Sequence, residues 1–180
     1  MSNKEQKSAV PANRLLGIHH ITALASDPQR NLDFYVKFLG TRLVKQTVNY
    51  DEPGTYHFYF GDTTGTPGTI LTFFPFPNAI QGKRGRGQIT AVMYAIAPES
   101  ISFWVERLSR HGIPFDGPVH RFDEEVIGFD DPDGMRIELV ATAANSGLPT
   151  FQSNLVPAEH VVRQFYGVTL ASLRLHSRLN

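Results

Sequence analysis

The 180-residue chain contains no cysteine. Disulfide frameworks, zinc ribbons, iron–sulfur clusters and thiol nucleophiles are thereby excluded together, and histidines and carboxylates are left as the strong metal ligands. It has no excess charge of either sign. Seventeen Lys and Arg balance seventeen Asp and Glu, so no global field favours nucleic acid or a membrane surface. No run approaches the roughly 18 apolar residues of a membrane span, and the polar stretch up to Arg14 lacks the apolar centre of a secretion signal. The expectation is a soluble cytoplasmic protein with no nucleic-acid or membrane partner. Gly-x-Ser-x-Gly, His-Glu-x-x-His and the P-loop are also missing, which argues against serine hydrolase, zincin and NTPase chemistry.

Hydrophobic residues make up 41% of the chain, enough for a globular core, and the length fits one domain or two small repeated modules. Residues 1–15 read as a disordered leader. Residues 17–24 read as a strand, and Ser26-Asp27-Pro28 as the start of a helix that runs through Leu32, Phe34, Tyr35, Phe38 and Leu39 to a stop at Gly40. Strands over 42–49, 55–60 and 69–74 follow. After a loop over 78–87 the same order returns: a strand over 88–96, a helix carrying Phe103, Trp104, Val105 and Leu108, and strands over 115–121, 125–129 and 135–141. The basic segment Lys83-Arg84-Gly85-Arg86 in that loop lacks the spacing of a phosphate-binding fingerprint and reads as a solvated connector.

The fold class expected is α+β, with two tandem βαβββ modules (16–77 and 87–142) inside a domain over 16–143. Neither module buries its sheet face alone, so the two should pair into a curved mixed sheet around a cleft. Residues 144–180 read as a linker, a short helix from Pro157 and a strand over 165–170 that has no partner in the chain. This looks like the opening of a truncated third module.

The most informative residues for chemistry are His19 and His20, two imidazoles in an apolar strand. Strand side chains alternate, so His20, Thr22 and Leu24 share one face and His19 shares the other with Ile21. One metal would take one of the pair directly, with the other as an orienting neighbour; hydrogen-bonded core histidines are the competing reading. Glu138, in Met135-Arg-Ile-Glu-Leu139, is a carboxylate in an apolar strand and needs a cation or strong hydrogen-bond donors to offset its desolvation. A metal would serve, and so would Arg136, which has the same parity. His57 and Thr22 are further candidates, as cavity-lining and hydrogen-bonding groups or as ordinary strand residues. Phe73, Phe74, Phe76 and Tyr94 would suit an aromatic ligand or simply the core.

The tandem βαβββ order, together with Gly17-Ile-His-His-Ile-Thr22 and Asp131-Pro-Asp-Gly-Met-Arg-Ile-Glu-Leu139, resembles the vicinal oxygen chelate superfamily of glyoxalases, bleomycin-resistance proteins and extradiol dioxygenases. Within it, residues 48–62 and 67–75 look like the hydroquinone-type ring-cleaving dioxygenases, which resemble four modules in one chain. That likeness implies Fe(II), or alternatively Mn(II) or another divalent metal, with His20 as a ligand and His19 and Thr22 beside it. It further implies a hydroquinone or catechol-like aromatic and dioxygen as reactants, with this chain as the front half of the enzyme. A glyoxalase-like pairing would instead make Glu138 a ligand, with the remaining positions near Thr72 and Thr90. The alternatives are a glyoxalase-like lyase or isomerase sharing a metal at a dimer interface, and a metal-free small-molecule binder. A homo-oligomer, or association through exposed module edges, is expected.

Overall fold

The computed structural model describes residue 15, residues 17–143 and residues 153–172. Most of the expected leader, the start of the linker and the chain end lie outside the described residues. The first module runs β1 (His20–Ala25), α1 (Pro28–Leu32), a π-wound continuation (Asp33–Phe38), β2 (Arg42–Val48), β3 (Tyr56–Gly61) and β4 (Ile70–Pro75). The second runs β5 (Gln88–Ile96), a 3₁₀ turn (Pro98–Ser100), α2 (Ile101–Arg110), β6 (Phe115–Arg121), β7 (Glu124–Asp130) and β8 (Arg136–Ala141), and β9 (Phe165–Ala171) follows. Asp27 caps α1 by accepting from the Arg30 N–H at 2.7 Å. Gly40 ends the helix at φ +80°, in the left-handed region that suits glycine.

Each module forms a mixed sheet, ordered β1-β4-β3-β2 in the first and β6-β7-β8-β5 in the second. In both, the last strand inserts parallel to the first, so that Thr22 lies opposite Thr72 and Met93 opposite Glu138. The strand expected to lack a partner has one: β9 pairs antiparallel with β5 from Gln88↔Ala171 to Tyr94↔Phe165 and becomes the edge of a five-stranded sheet. Phe165 draws it there, packing on Tyr94 with ring centroids 5.1 Å apart. β9 occupies that edge of β5, and the α+β pairing of two βαβββ modules that was expected is built as two mixed sheets.

The two sheets share one core. Ile21, Phe58, Phe60, Leu71 and Phe73 supply it from the first; Val92, Tyr94, Ile127, Phe129, Ile137 and Leu139 supply it from the second. Helical residues fill the space between, with Tyr35 against Phe60 and Phe73, and Phe34 and Phe38 against Phe129. Polar ties cross the module boundary, among them Tyr35–Asp131, Arg30–Asp133 and those of Arg107. The buried Tyr35 hydroxyl donates to Asp131 Oδ2 at 2.9 Å, while Asp131 Oδ1 accepts from the N–H groups of Asp133 and Met135 and shapes the turn before β8. Burial pushes both the Tyr35 phenol and the Asp131 carboxyl up. Arg107 of α2 donates to the carbonyls of Lys37, Phe38 and Leu155.

The helix expected from Pro157 is a single turn. The carbonyls that a helix would use go to α2 instead: Glu159 O accepts from the Ser100 hydroxyl at 3.2 Å, and His160 O from the Trp104 indole at 2.9 Å. Among the described residues no helix is long and apolar enough to cross a membrane.

Candidate functional site

Strand alternation sends Ile21, Phe58, Phe60, Leu71 and Phe73 into the core, so their neighbours face the other way. The register collects those neighbours in rows. Thr22, Thr72, Tyr59 and Lys45 lie side by side across β1, β4, β3 and β2, and the adjacent row holds Leu24, Phe74, His57 and Thr47. His20 stands at the entrance of β1, two positions before Thr22. The structure thus places His20, Thr22 and His57, three of the expected site residues, on one face of the first sheet.

The contacts on this face are polar and aromatic in alternation. The Thr72 hydroxyl donates to Thr22 Oγ1 at 3.0 Å. His57 lies against Phe74 with centroids 3.9 Å apart and against Tyr59 at 4.2 Å. Tyr59 Oη is 3.0 Å from His57 Nδ1. With the phenol donating, the neutral imidazole carries its proton on Nε2, which is buried and has no hydrogen-bond partner. The ring is held neutral: desolvation, then the Lys45 ammonium, then His20 push the His57 pKa below its ordinary value. Lys45 sits over the Tyr59 ring at 5.4 Å.

His19 would face the core in a regular strand. Residues 17–19 precede β1 and are irregular, and the His19 ring turns to meet His20, Nδ1 to Nδ1 at 3.1 Å with the planes at 86°. One nitrogen of that pair must donate. When it is His20 Nδ1, the lone pair on His20 Nε2 is left free for a Lewis acid, with His19 orienting the ring.

Glu138 belongs to the other sheet. Its carboxylate is held by Arg121, whose two terminal nitrogens donate to both oxygens at 2.7 and 2.9 Å. That bond raises the Arg121 pKa further, so the guanidinium stays charged. Arg136, the arginine that parity pointed to, is instead paired with Asp116 and Asp130. Thr90, near the other position of a glyoxalase-like set, donates to the Thr169 carbonyl of β9 at 3.3 Å.

The donors present do not fit a complete metal site. Among the described residues no group of three or more His, Asp or Glu side chains is placed to hold an ion. Both oxygens of Glu138 are engaged, and the Thr72 and Thr90 hydroxyls have internal partners. What the face does offer is an opening. No described strand pairs with the edge of β1 that faces away from β4, and a cavity of about 520 Å³ lies between that strand and β5, lined by Thr22, Leu24, Ile89 and Thr90. Leu24 is 64% exposed, an unusual position for a large apolar side chain inside a strand. Tyr59, Lys45 and Arg121 were not singled out by sequence. Tyr59 shares its parity with His57, which was a usable signal; Lys45 and Arg121 depend on cross-strand register.

Comparison with known proteins agrees with this architecture. The chain is 44% identical over 161 residues to a Bacillus subtilis (strain 168) protein named "Putative ring-cleaving dioxygenase MhqO", covering 89% of this chain and 51% of that one. It is 38% identical to the chlorohydroquinone/hydroquinone 1,2-dioxygenase of Sphingobium indicum, over 87% of this chain and 50% of that one. A crystal structure of a "putative dioxygenase" from Bacillus subtilis subsp. subtilis str. 168 superimposes with a TM-score of 0.79 at 45% identity, over 86% of this chain and 49% of that chain. The chain therefore spans about half the length of the curated relatives it matches. The profile of the Glyoxalase/Bleomycin resistance protein/Dioxygenase superfamily matches residues 17–139, and the chain belongs to that superfamily.

Proposed function

We propose that the chain serves a ring-cleaving, extradiol-type dioxygenase reaction on a hydroquinone or catechol-like aromatic, as the front half of such an enzyme. The observation that carries this reading is the single face holding His20, Thr22 and the Tyr59–His57–Phe74 group beside the open edge of β1. A substrate ring would lie along the Tyr59–His57–Phe74 wall, with a phenolic oxygen on its Lys45 side. Lys45 would favour the anionic form of that oxygen. Thr22 and Thr72 form a relay of hydroxyls beside it.

Ring cleavage by this family calls for Fe(II), or alternatively Mn(II) or another divalent ion, and this face contributes one free ligand, His20, supported by His19. Further ligands would come from outside the described residues, from a longer chain or a second copy bound along β1. No step through the metal follows from these residues alone. A metal-free binder of small aromatics is the second reading, favoured by the aromatic wall and by the incomplete donor set.

The test is metal content by mass spectrometry on anaerobically purified protein, together with its solution mass and oxygen uptake on hydroquinone. Bound iron or manganese that is lost in His20→Ala is the expected result. Hydroquinone binding by a folded, metal-free wild type that persists in His20→Ala would replace the dioxygenase reading with the binder.

A further inference from the structure

The second sheet has a polar face of its own, on which each arginine is paired with carboxylates. Glu138 lies there, at the position that a glyoxalase-like pairing would give to a metal. Arg121 holds both of its oxygens in a fork. Arg136, two residues earlier on the same strand, lays its guanidinium across Gly128, the β7 residue opposite Glu138, and is itself held by Asp116 and Asp130. Tyr166 of β9 reaches over to donate to Glu124, the register partner of Arg121, at 2.6 Å.

We propose that Arg121 is a built-in cation standing in the place of a divalent metal on Glu138, so that this carboxylate is closed to metal in the folded chain. Three arguments support this. The planar fork satisfies both carboxylate oxygens at once, the strongest geometry available to an uncoordinated carboxylate. An ion displacing Arg121 would have to break both charge-assisted hydrogen bonds of the fork. A stable transition-metal site also needs about three protein ligands, and among the described residues no such group exists. The inference goes beyond the proposed activity, since it concerns a sheet that takes no part in it.

The experiment is a titration of the full chain with Mn(II), the free ion followed by electron paramagnetic resonance, alongside thermal melts with and without Mn(II). Glu138→Gln is expected to match wild-type Mn(II) binding within about twofold, whatever His20→Ala does; the His20 result bears on the dioxygenase reading alone. Arg121→Met is expected to melt below the wild type and to recover part of the loss in millimolar Mn(II), because the bare carboxylate then takes an external cation. That recovery should vanish in the double variant Arg121→Met/Glu138→Met. If Arg121→Met does not fold, Arg121→Lys decides: it keeps the charge in place and should remain unresponsive to Mn(II). The proposal is overturned if Glu138→Gln weakens wild-type Mn(II) binding by about tenfold or more, or if folded Arg121→Met melts like the wild type and ignores Mn(II). Glu138-dependent Mn(II) binding by Arg121→Lys would overturn it as well.

Discussion

Gly128 lacks a side chain at a point where Arg136 needs the room: a Cβ there would meet Arg136 Cζ at 2.6 Å. Gly128→Ala should therefore dislodge the guanidinium from Asp116 and Asp130 and, these aspartates being exposed, cost no more than about 1 kcal/mol in urea unfolding. His57 makes a pH-dependent contribution. Its folded pKa lies below the unfolded value near 6.5, so the unfolded chain takes up a proton first on acidification. The stability that neutral His57 provides is present above pH 6.5 and is lost as the pH falls through the folded value. His57→Phe should flatten the drop in melting temperature between neutral and mildly acidic pH, and should weaken hydroquinone binding while leaving metal content unchanged. His19→Ala, which removes only the orienting partner, should weaken metal binding by roughly 10–100-fold, less than His20→Ala does. At this scale the sequence was informative wherever strand parity decides. His20 and Thr22 share a face because positions two apart in a strand must, whereas His57 joins them only through the register of β1, β4 and β3. Glu138 needed a compensating cation or donors, as its apolar strand required, but that Arg121 rather than Arg136 supplies them depends on the curvature and register of three strands.

Element boundaries were legible for the same reason, since turns at 51–54, 61–68 and 131–134 separate strands whose periodicity is plain. What the pattern did not show was which edge a strand would choose. β9 has the composition of any strand, and only the docking of Phe165 against Tyr94 and the anchoring of Glu159 and His160 by Ser100 and Trp104 send it to β5. Arg107 performs a similar service for the helices. Its guanidinium closes the C-terminal end of the π-wound segment and reaches the 153–162 stretch in one fan of donors. Arg107→Ala should leave three carbonyls without that donor and cost about 2–4 kcal/mol by thermal or denaturant unfolding. Arg107→Lys should recover little of it, because an ammonium does not reproduce the fork.

On the scale of the whole molecule, the two sheets are unequal among the described residues: β5 is flanked on both sides, by β8 and β9, while β1 is flanked on one. Hydrogen exchange should register this directly, with the outward amides of β1 exchanging faster than those of β5, and with protection of β1 increasing if copies associate along it. The parallel insertion of the last strand of each module between the first and the third has a further consequence, for synthesis on the ribosome. β1 finds its sheet partner only when β4 has been made, so the polypeptide through Gly61 exposes two incomplete pieces, β1 with its helix and the β2–β3 hairpin. Non-local closure of this kind is slow compared with hairpin formation. A nascent chain should therefore stay protease-sensitive through Pro75, where the first sheet closes with its core face still bare, and gain resistance only beyond Ala141, when the second sheet covers that face.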